Sequence, residues 1–204
     1  MYKTESLFDL TATLEASDYY RTDTHWKQEC LIEAATAICN TMGVTAPKAE
    51  DYTVNAMERP FYGVYYGQAA LPMNPDTLCL MESALLDACT VNYLDYTAMG
   101  GKVGKVYDMD KYTEKDLYEL YLAGPRSLIV IDNPNAKTDR ELVVFRDSFG
   151  SSMTPLLVQD YAKVTLVDTR YISSDLLDQF LEFHGQDVLL LYGTQILNNS
   201  SSLK

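Results

Sequence analysis

The stretch ELVVFRDSFGSSMTPLLVQDYAKVTLVD (Glu141–Asp168) decides how the chain is read. It opens and closes on short β-branched apolar runs, ELVVFR and KVTLVD, and its middle carries apolar residues at helical spacing. That is the pattern of a strand, a helix and a second strand. Outward from it, SLIVID (127–132) supplies an earlier strand and DVLLLYG (187–193) a later one. SSDLLDQFLEFHG (173–185) places Leu176, Leu177, Phe180, Leu181 and Phe183 on a helical stripe closed by Gly185. Continuous apolar strands alternating with amphipathic helices predict an α/β fold, a parallel sheet covered on both faces.

The first half is less periodic. HWKQECLIEAATAICNTMG predicts a helix over about 26–42, with Trp26, Cys30, Ala34 and Ile38 as its stripe, Gly43 as its stop, and Thr22, Asp23 or Thr24 as its cap. MERPFYGVYYGQAA (57–70) is rich in tyrosine and glycine and suggests strands or an irregular segment beside a cleft. TLCLMESALLDACTVNYL fits helix or strand, and KYTEKDLYELYLAGP reads as a helix ended by Gly124-Pro125. No linker or repeat divides residues 1–204, which read as a single domain.

The composition narrows the function. A net charge of −13 without a basic cluster disfavours nucleic acid as a partner. No apolar run approaches the roughly 18 residues of a membrane-spanning helix, and no signal peptide is visible at the start. Cys30, Cys39, Cys79 and Cys89 form no CxxC pair and read as buried thiols, with a disulfide left open. Two distant histidines and no close cysteine pair argue against a tetrahedral metal site.

Ser148 follows the end of a predicted strand directly, at the mouth of a helix. Ligands of parallel sheets bind at such carboxyl ends, and backbone N–H groups there suit an oxyanion. Asp-Ser at this place is also ordinary capping chemistry. A serine becomes a nucleophile only when a base takes its proton. His25 is the base candidate, since the ordinary pKa of histidine, about 6.5, lies near neutrality. Asp23 is close enough to orient its ring. His184, before a glycine at a predicted helix end, reads as a surface cap.

YYRTDTHW, FYGVYYGQ, LIVIDNPNAKTDRELVVFRDSFGSSMTPLL, KVTLVDTRYI and DVLLLYGTQIL together resemble the DHHW protein family, related to the alginate O-acetyltransferases of the SGNH-hydrolase-like group. The resemblance implies a three-layer α/β/α, flavodoxin-like fold, with the Asp-His pair before the serine, a permuted order. It implies a serine esterase or O-acetyltransferase acting on a cell-surface or extracellular carbohydrate. Ser148 would be the nucleophile, His25 the base and Asp23 its orienting acid. Substrate or oxyanion candidates are Phe149 through its N–H, Arg170 at another strand end, and Trp26 as a sugar platform or as core. No metal or organic cofactor is called for. Thr24 replaces the second position of the signature, and Arg146 stands where SGNH enzymes usually have glycine. The resemblance also reads the chain as the C-terminal part of a longer protein, or a short variant, with membrane anchoring only through a segment missing from it. The alternative is a non-catalytic carbohydrate-binding or cell-surface assembly module, with the tyrosine-rich segment as its ligand surface.

Overall fold

The computed structural model describes residues 6–95 and 100–203. Along the chain run helix α1 (Ile32–Met42), strand β1 (Thr53–Ala56), helix α2 (Val64–Ala69), strand β2 (Cys79–Glu82), helix α3 (Ala84–Ala88) and strands β3 (Thr90–Asp95) and β4 (Gly100–Gly104). Strands β5 (Leu128–Asp132) and β6 (Glu141–Arg146), helix α4 (Phe149–Met153), strands β7 (Lys163–Val167) and β8 (Asp187–Leu191) and helix α5 (Thr194–Asn198) follow. β1 and β2 form a small antiparallel ladder. The main sheet has six strands in the order β4-β3-β5-β7-β6-β8.

This sheet is mixed, which corrects the expectation of a parallel one. β6 runs parallel to both β7 and β8, whereas β5 is antiparallel to β7, and β3 is antiparallel to β5 and β4. The reason lies in loop length. Only residues 133–140 separate β5 from β6, and a parallel return needs a crossover of roughly a dozen residues or more. The parallel character is confined to β6, β7 and β8, which longer connections join.

The pleat sorts each strand between two faces. Leu142 and Val144 of β6 join the larger core with Trp26, Ala34, Ile38, Leu156, Leu166, Leu189 and Leu191. Val143, between them, points to a smaller cluster with Leu128, Val167, Ile172 and Leu177. On that second face β8 leaves Val188 and Leu190 exposed, so it is not the doubly buried strand expected. The predicted helix over 173–185 shortens to a 3-10 turn at Ser174–Gln179, with Phe180 and Phe183 exposed. After α4, Pro155 sits in a 3-10 segment, Thr154–Leu157, where a missing N–H ends regular α-helix.

Other expectations shift similarly. α1 starts at Ile32, with no side-chain cap, and ends at Gly43, whose φ of 65° suits glycine. Trp26 lies outside it, bridged to Tyr19 across a tight loop. The segment 57–70 contains α2, and TLCLMESALLDACTVNYL divides into β2, α3 and β3. Residues 109–120 form two 3-10 turns, Met109–Thr113 and Leu117–Leu120, instead of a helix. Leu117, Tyr118, Leu120, Tyr121, Leu122 and Ala123 are all buried. So continuous a run cannot lie on one face of an α-helix.

β7 lies between β5 and β6, and Leu166 at its middle is 1% exposed. Leu166→Ala is expected to cost about 2–5 kcal/mol. Urea denaturation followed by the fluorescence of Trp26 measures it; a loss below about 1 kcal/mol would contradict this core assignment.

Candidate functional site

The serine stands where the strand order reverses. β6 is flanked by β7 on one side and β8 on the other, and crevices form at the carboxyl end of such a strand. Asp147 and Ser148 emerge there. The Asp147 carboxylate accepts the Phe149 N–H at 2.9 Å and the Gly193 N–H at 2.7 Å. It thus supplies the capping bond and ties β6 to the segment after β8. Ser148 makes no capping bond with its side chain, so its hydroxyl is available. Gly150 permits the turn back over β6, since a Cβ there would stand 2.7 Å from Cβ of Arg146.

Asp23 and His25 arrive on a loop whose ends are pinned by the Tyr19–Trp26 bridge and by the bond from Tyr20 N–H to His25 carbonyl oxygen, 3.0 Å. Asp76, itself buried, accepts from the Thr22 N–H and hydroxyl, each at 2.7 Å, and from the Arg21 N–H. Thr22 is therefore held by Asp76 and caps no part of α1. His25 Nε2 lies 2.7 Å from Ser148 Oγ, and its Nδ1 lies 2.5 Å from Asp23 Oδ1. An ionised carboxylate only accepts, so Nδ1 is the donor; in a neutral ring Nε2 then accepts the serine proton.

Asp23 has two further partners. Oδ1 accepts the His25 N–H at 3.0 Å, and Oδ2 accepts the Val64 N–H at 2.9 Å. Gly63 allows that approach, because a Cβ there would come within 2.2 Å of the Asp23 side chain. Burial pushes the Asp23 carboxyl up, but the bonds and charge of His25 and the two backbone N–H groups outweigh it, and the net shift is downward.

Tyr118 completes the seat of the imidazole. Its ring stacks on His25 with centroids 3.9 Å apart and planes 12° apart. Its hydroxyl pairs with Ser152 Oγ at 2.8 Å, and Ser152 Oγ also accepts the indole N–H of Trp26 at 2.9 Å. Gln28 donates to the Ser152 carbonyl oxygen at 2.9 Å and accepts the Met81 N–H at 3.0 Å. One buried network thus joins the His25 loop, α4 and β2.

The remaining sequence candidates sit as follows. Trp26 is buried in the core, edge-on to Phe149, and offers no ring face to a sugar. The Phe149 N–H is held by Asp147; among the described residues, the Ser148 N–H has no acceptor. Arg170 grips Asp168 through Nε at 2.9 Å and Nη2 at 2.6 Å. Arg146 is fully buried, its Nη1 3.1 Å from Ser151 Oγ and 3.8 Å from Asp168. His184 is exposed near Glu141, at the opposite end of β6 from Ser148. The four cysteines are unpaired. Burial pushes Cys39 up to about 12 and Cys30, Cys79 and Cys89 up to about 11, so as thiols they are weak nucleophiles at neutral pH. Among the described residues no three His, Cys, Asp or Glu side chains gather as a metal centre, and no helix is long and apolar enough to cross a membrane.

Sequence reasoning passed over Asp76, Tyr118, Gln28, Ser152 and Gly63. Asp76 and Tyr118 are far in sequence from the residues they hold, and no local pattern marks any of the five.

The fold and site define a mixed α/β protein that brings an Asp-His pair onto a strand-end serine. The chain belongs to the DHHW protein family, whose family model matches residues 8–167. Its fold is similar to that of a DHHW family protein from Eubacterium siraeum DSM 15702, with a TM-score of 0.67 and 21% identity over 88% of this chain and 60% of that one. It is also similar to Bacillus cereus PatB1, with a TM-score of 0.67 and 22% identity over 88% of this chain and 63% of that one. A further PatB1 structure, with a sulfonyl adduct, gives a TM-score of 0.66 at 22% identity, covering 88% of this chain and 62% of that one. The chain thus spans 60–63% of the length of these structures. Comparison with curated proteins gives no match.

The Asp23 carboxyl titrates in the folded protein below its ordinary value of 3.8. The stability it contributes is therefore complete above the unfolded value and is lost as pH falls through the folded one. Asp23→Asn should be less stable than the wild type at pH 6, and the gap should narrow toward pH 3 in urea denaturation. A gap that stays constant or widens would contradict this assignment.

Proposed function

We propose that this chain is an SGNH-like serine esterase or O-acetyltransferase acting on a carbohydrate outside the cytoplasm, with a three-layer α/β/α relationship to that group. The observation that carries the reading is the 2.7 Å contact between His25 Nε2 and Ser148 Oγ, with Asp23 on the other ring nitrogen. Three residues of the needed chemical types, from positions 123 apart in the chain, meet in the order nucleophile, base and orienting acid.

In the proposed reaction Ser148 Oγ attacks an ester carbonyl as His25 Nε2 takes its proton. Asp23 stabilises the resulting imidazolium through the Nδ1 bond, and Tyr118 holds the ring plane. The oxyanion faces the Ser148 N–H. Collapse expels the alcohol, which receives the proton from Nε2, and leaves an acyl-serine. Water or a sugar hydroxyl then attacks the acyl carbon, loses its proton to His25, and releases free serine. Water gives an esterase and a sugar hydroxyl gives a transferase.

A second reading, a non-catalytic carbohydrate-binding or cell-surface assembly module, draws support from one bond. The Phe149 N–H is engaged by Asp147, which leaves fewer donors for an oxyanion than the sequence reading expected.

Hydrolysis of p-nitrophenyl acetate separates the two. Ser148→Ala and His25→Ala should each lower the rate by roughly 100- to 10,000-fold. Equal rates for Ser148→Ala and the wild type would remove Ser148 from the mechanism and leave the second reading.

A further inference from the structure

The tyrosine-rich segment has no part in the acyl-transfer steps, yet it is attached to their acid. Beyond the Val64 bond to Asp23, the Gly63 N–H donates to the Thr22 hydroxyl at 3.1 Å and the Tyr65 N–H to the Thr22 carbonyl oxygen at 2.9 Å. Phe61, fully buried, closes the near end through a bridge to Asp76. The backbone of 61–65 is thus fixed to the Asp23 loop, while the side chains of Tyr62, Val64 and Tyr65 are exposed. Tyr62 is 45% exposed, Tyr65 39% and Tyr66 40%. The rings of Tyr62 and Tyr66 adjoin, with centroids 4.6 Å apart and planes tilted by 49°. Gly67, Ala69 and Ala70 follow, small residues that do not cover them.

Charge sets this surface apart. Residues 60–75 contain no Asp, Glu, Lys or Arg, in a chain where 22% of residues are charged, and most of them are exposed. A stretch of that length would carry three or four charges at the average composition. Exposed apolar surface of this kind marks an interaction site. Tyrosine adds a rigid ring face and a hydroxyl at small entropic cost, which suits a partner that is itself apolar on its faces and hydroxylated at its edges. A pyranose ring has that character. An acidic polymer or anionic membrane would find no cation within residues 60–75 and a protein of net charge −13 behind them; at the borders Arg21 is engaged with Asp76 and the Pro75 carbonyl oxygen, and Arg59 with the carbonyl oxygens of Tyr112 and Glu114.

We propose that Tyr62, Tyr65 and Tyr66 form a subsite for a neutral pyranose chain, which stacks on the rings beside the Asp23 loop. The inference rests on the reading of the chain as a carbohydrate-directed acyl enzyme, and it names the kind of acceptor: an uncharged glycan held away from the serine by stacking rather than by ion pairs.

Affinity electrophoresis in native gels tests it, with glycol-modified cellulose or chitin as the neutral polymer and alginate as the polyanion. The wild type should be retarded by a neutral polymer and not by alginate. Tyr62→Ala and Tyr66→Ala should each weaken retardation roughly fivefold or more, as loss of a central aromatic contact does. Both rings are half-exposed, and matching circular dichroism of the two variants checks their fold; Tyr62→Ser and Tyr66→Ser provide the same test if either alanine protein misfolds. Ser148→Ala should be retarded as the wild type is, so a failed mechanism and a failed subsite give different results. Retardation that the tyrosine variants share, or none in any neutral polymer, would overturn the proposal. So would tyrosine-dependent self-association in light scattering, or tyrosine-dependent sedimentation with phosphatidylcholine vesicles, which would assign the surface to a second copy or to lipid.

Discussion

One carboxylate organises the site. Asp23 accepts three N–H groups, those of the His25 backbone, the His25 ring and Val64, from a buried position. A buried carboxylate without such partners would protonate or be expelled toward water. With them it fixes the imidazole tautomer, closes the 23–25 turn and seats the start of α2. The local backbone is shaped to permit this, since Gly63 has no side chain to collide with Asp23. The geometry at Ser148 is therefore set from behind, through the acid, as much as from the strand that carries the serine.

The strand side solves a second constraint. A polar residue at a strand-to-helix junction is drawn toward capping, which would occupy the hydroxyl a nucleophile needs. Here Asp147 takes that duty with two backbone N–H groups, and Ser148 Oγ turns to His25. The same division commits the Phe149 N–H, which is therefore not free to face an oxyanion in the proposed reaction. Below this junction, Arg146, Asp168 and Arg170 form a charge cluster at the ends of β6 and β7. Arg170 thereby has a structural partner, and buried pairs of this kind are costly to break from one side.

The legible parts of the sequence were those written in local pattern. Runs such as LIVI, LVVF and VTLV announced β5, β6 and β7, and Gly43 announced the end of α1. The parallel sheet was over-extended because strand composition does not encode direction; the short span 133–140 did, through the length a crossover needs. The helices expected over 111–124 and 173–185 failed for a tertiary reason. In the first segment residues 117–123 are buried almost without a break, and the second meets only a small apolar cluster. Asp23, His25 and Ser148 stood out because their chemistry is distinctive and their setting matches a family pattern. Their supports did not, because Asp76, Tyr118 and Ser152 act across the fold and are ordinary residues in their own neighbourhoods.

The most direct measurement is covalent. Phenylmethanesulfonyl fluoride reacts with a serine whose proton is removed by a neighbouring base: the sulfur–oxygen bond forms and fluoride leaves. Peptide mass spectrometry of the treated protein should place one sulfonyl group on Ser148 in the wild type, with labelling strongly reduced in His25→Ala. An unlabelled Ser148, or labelling equal in the two proteins, would contradict an activated nucleophile at the end of β6.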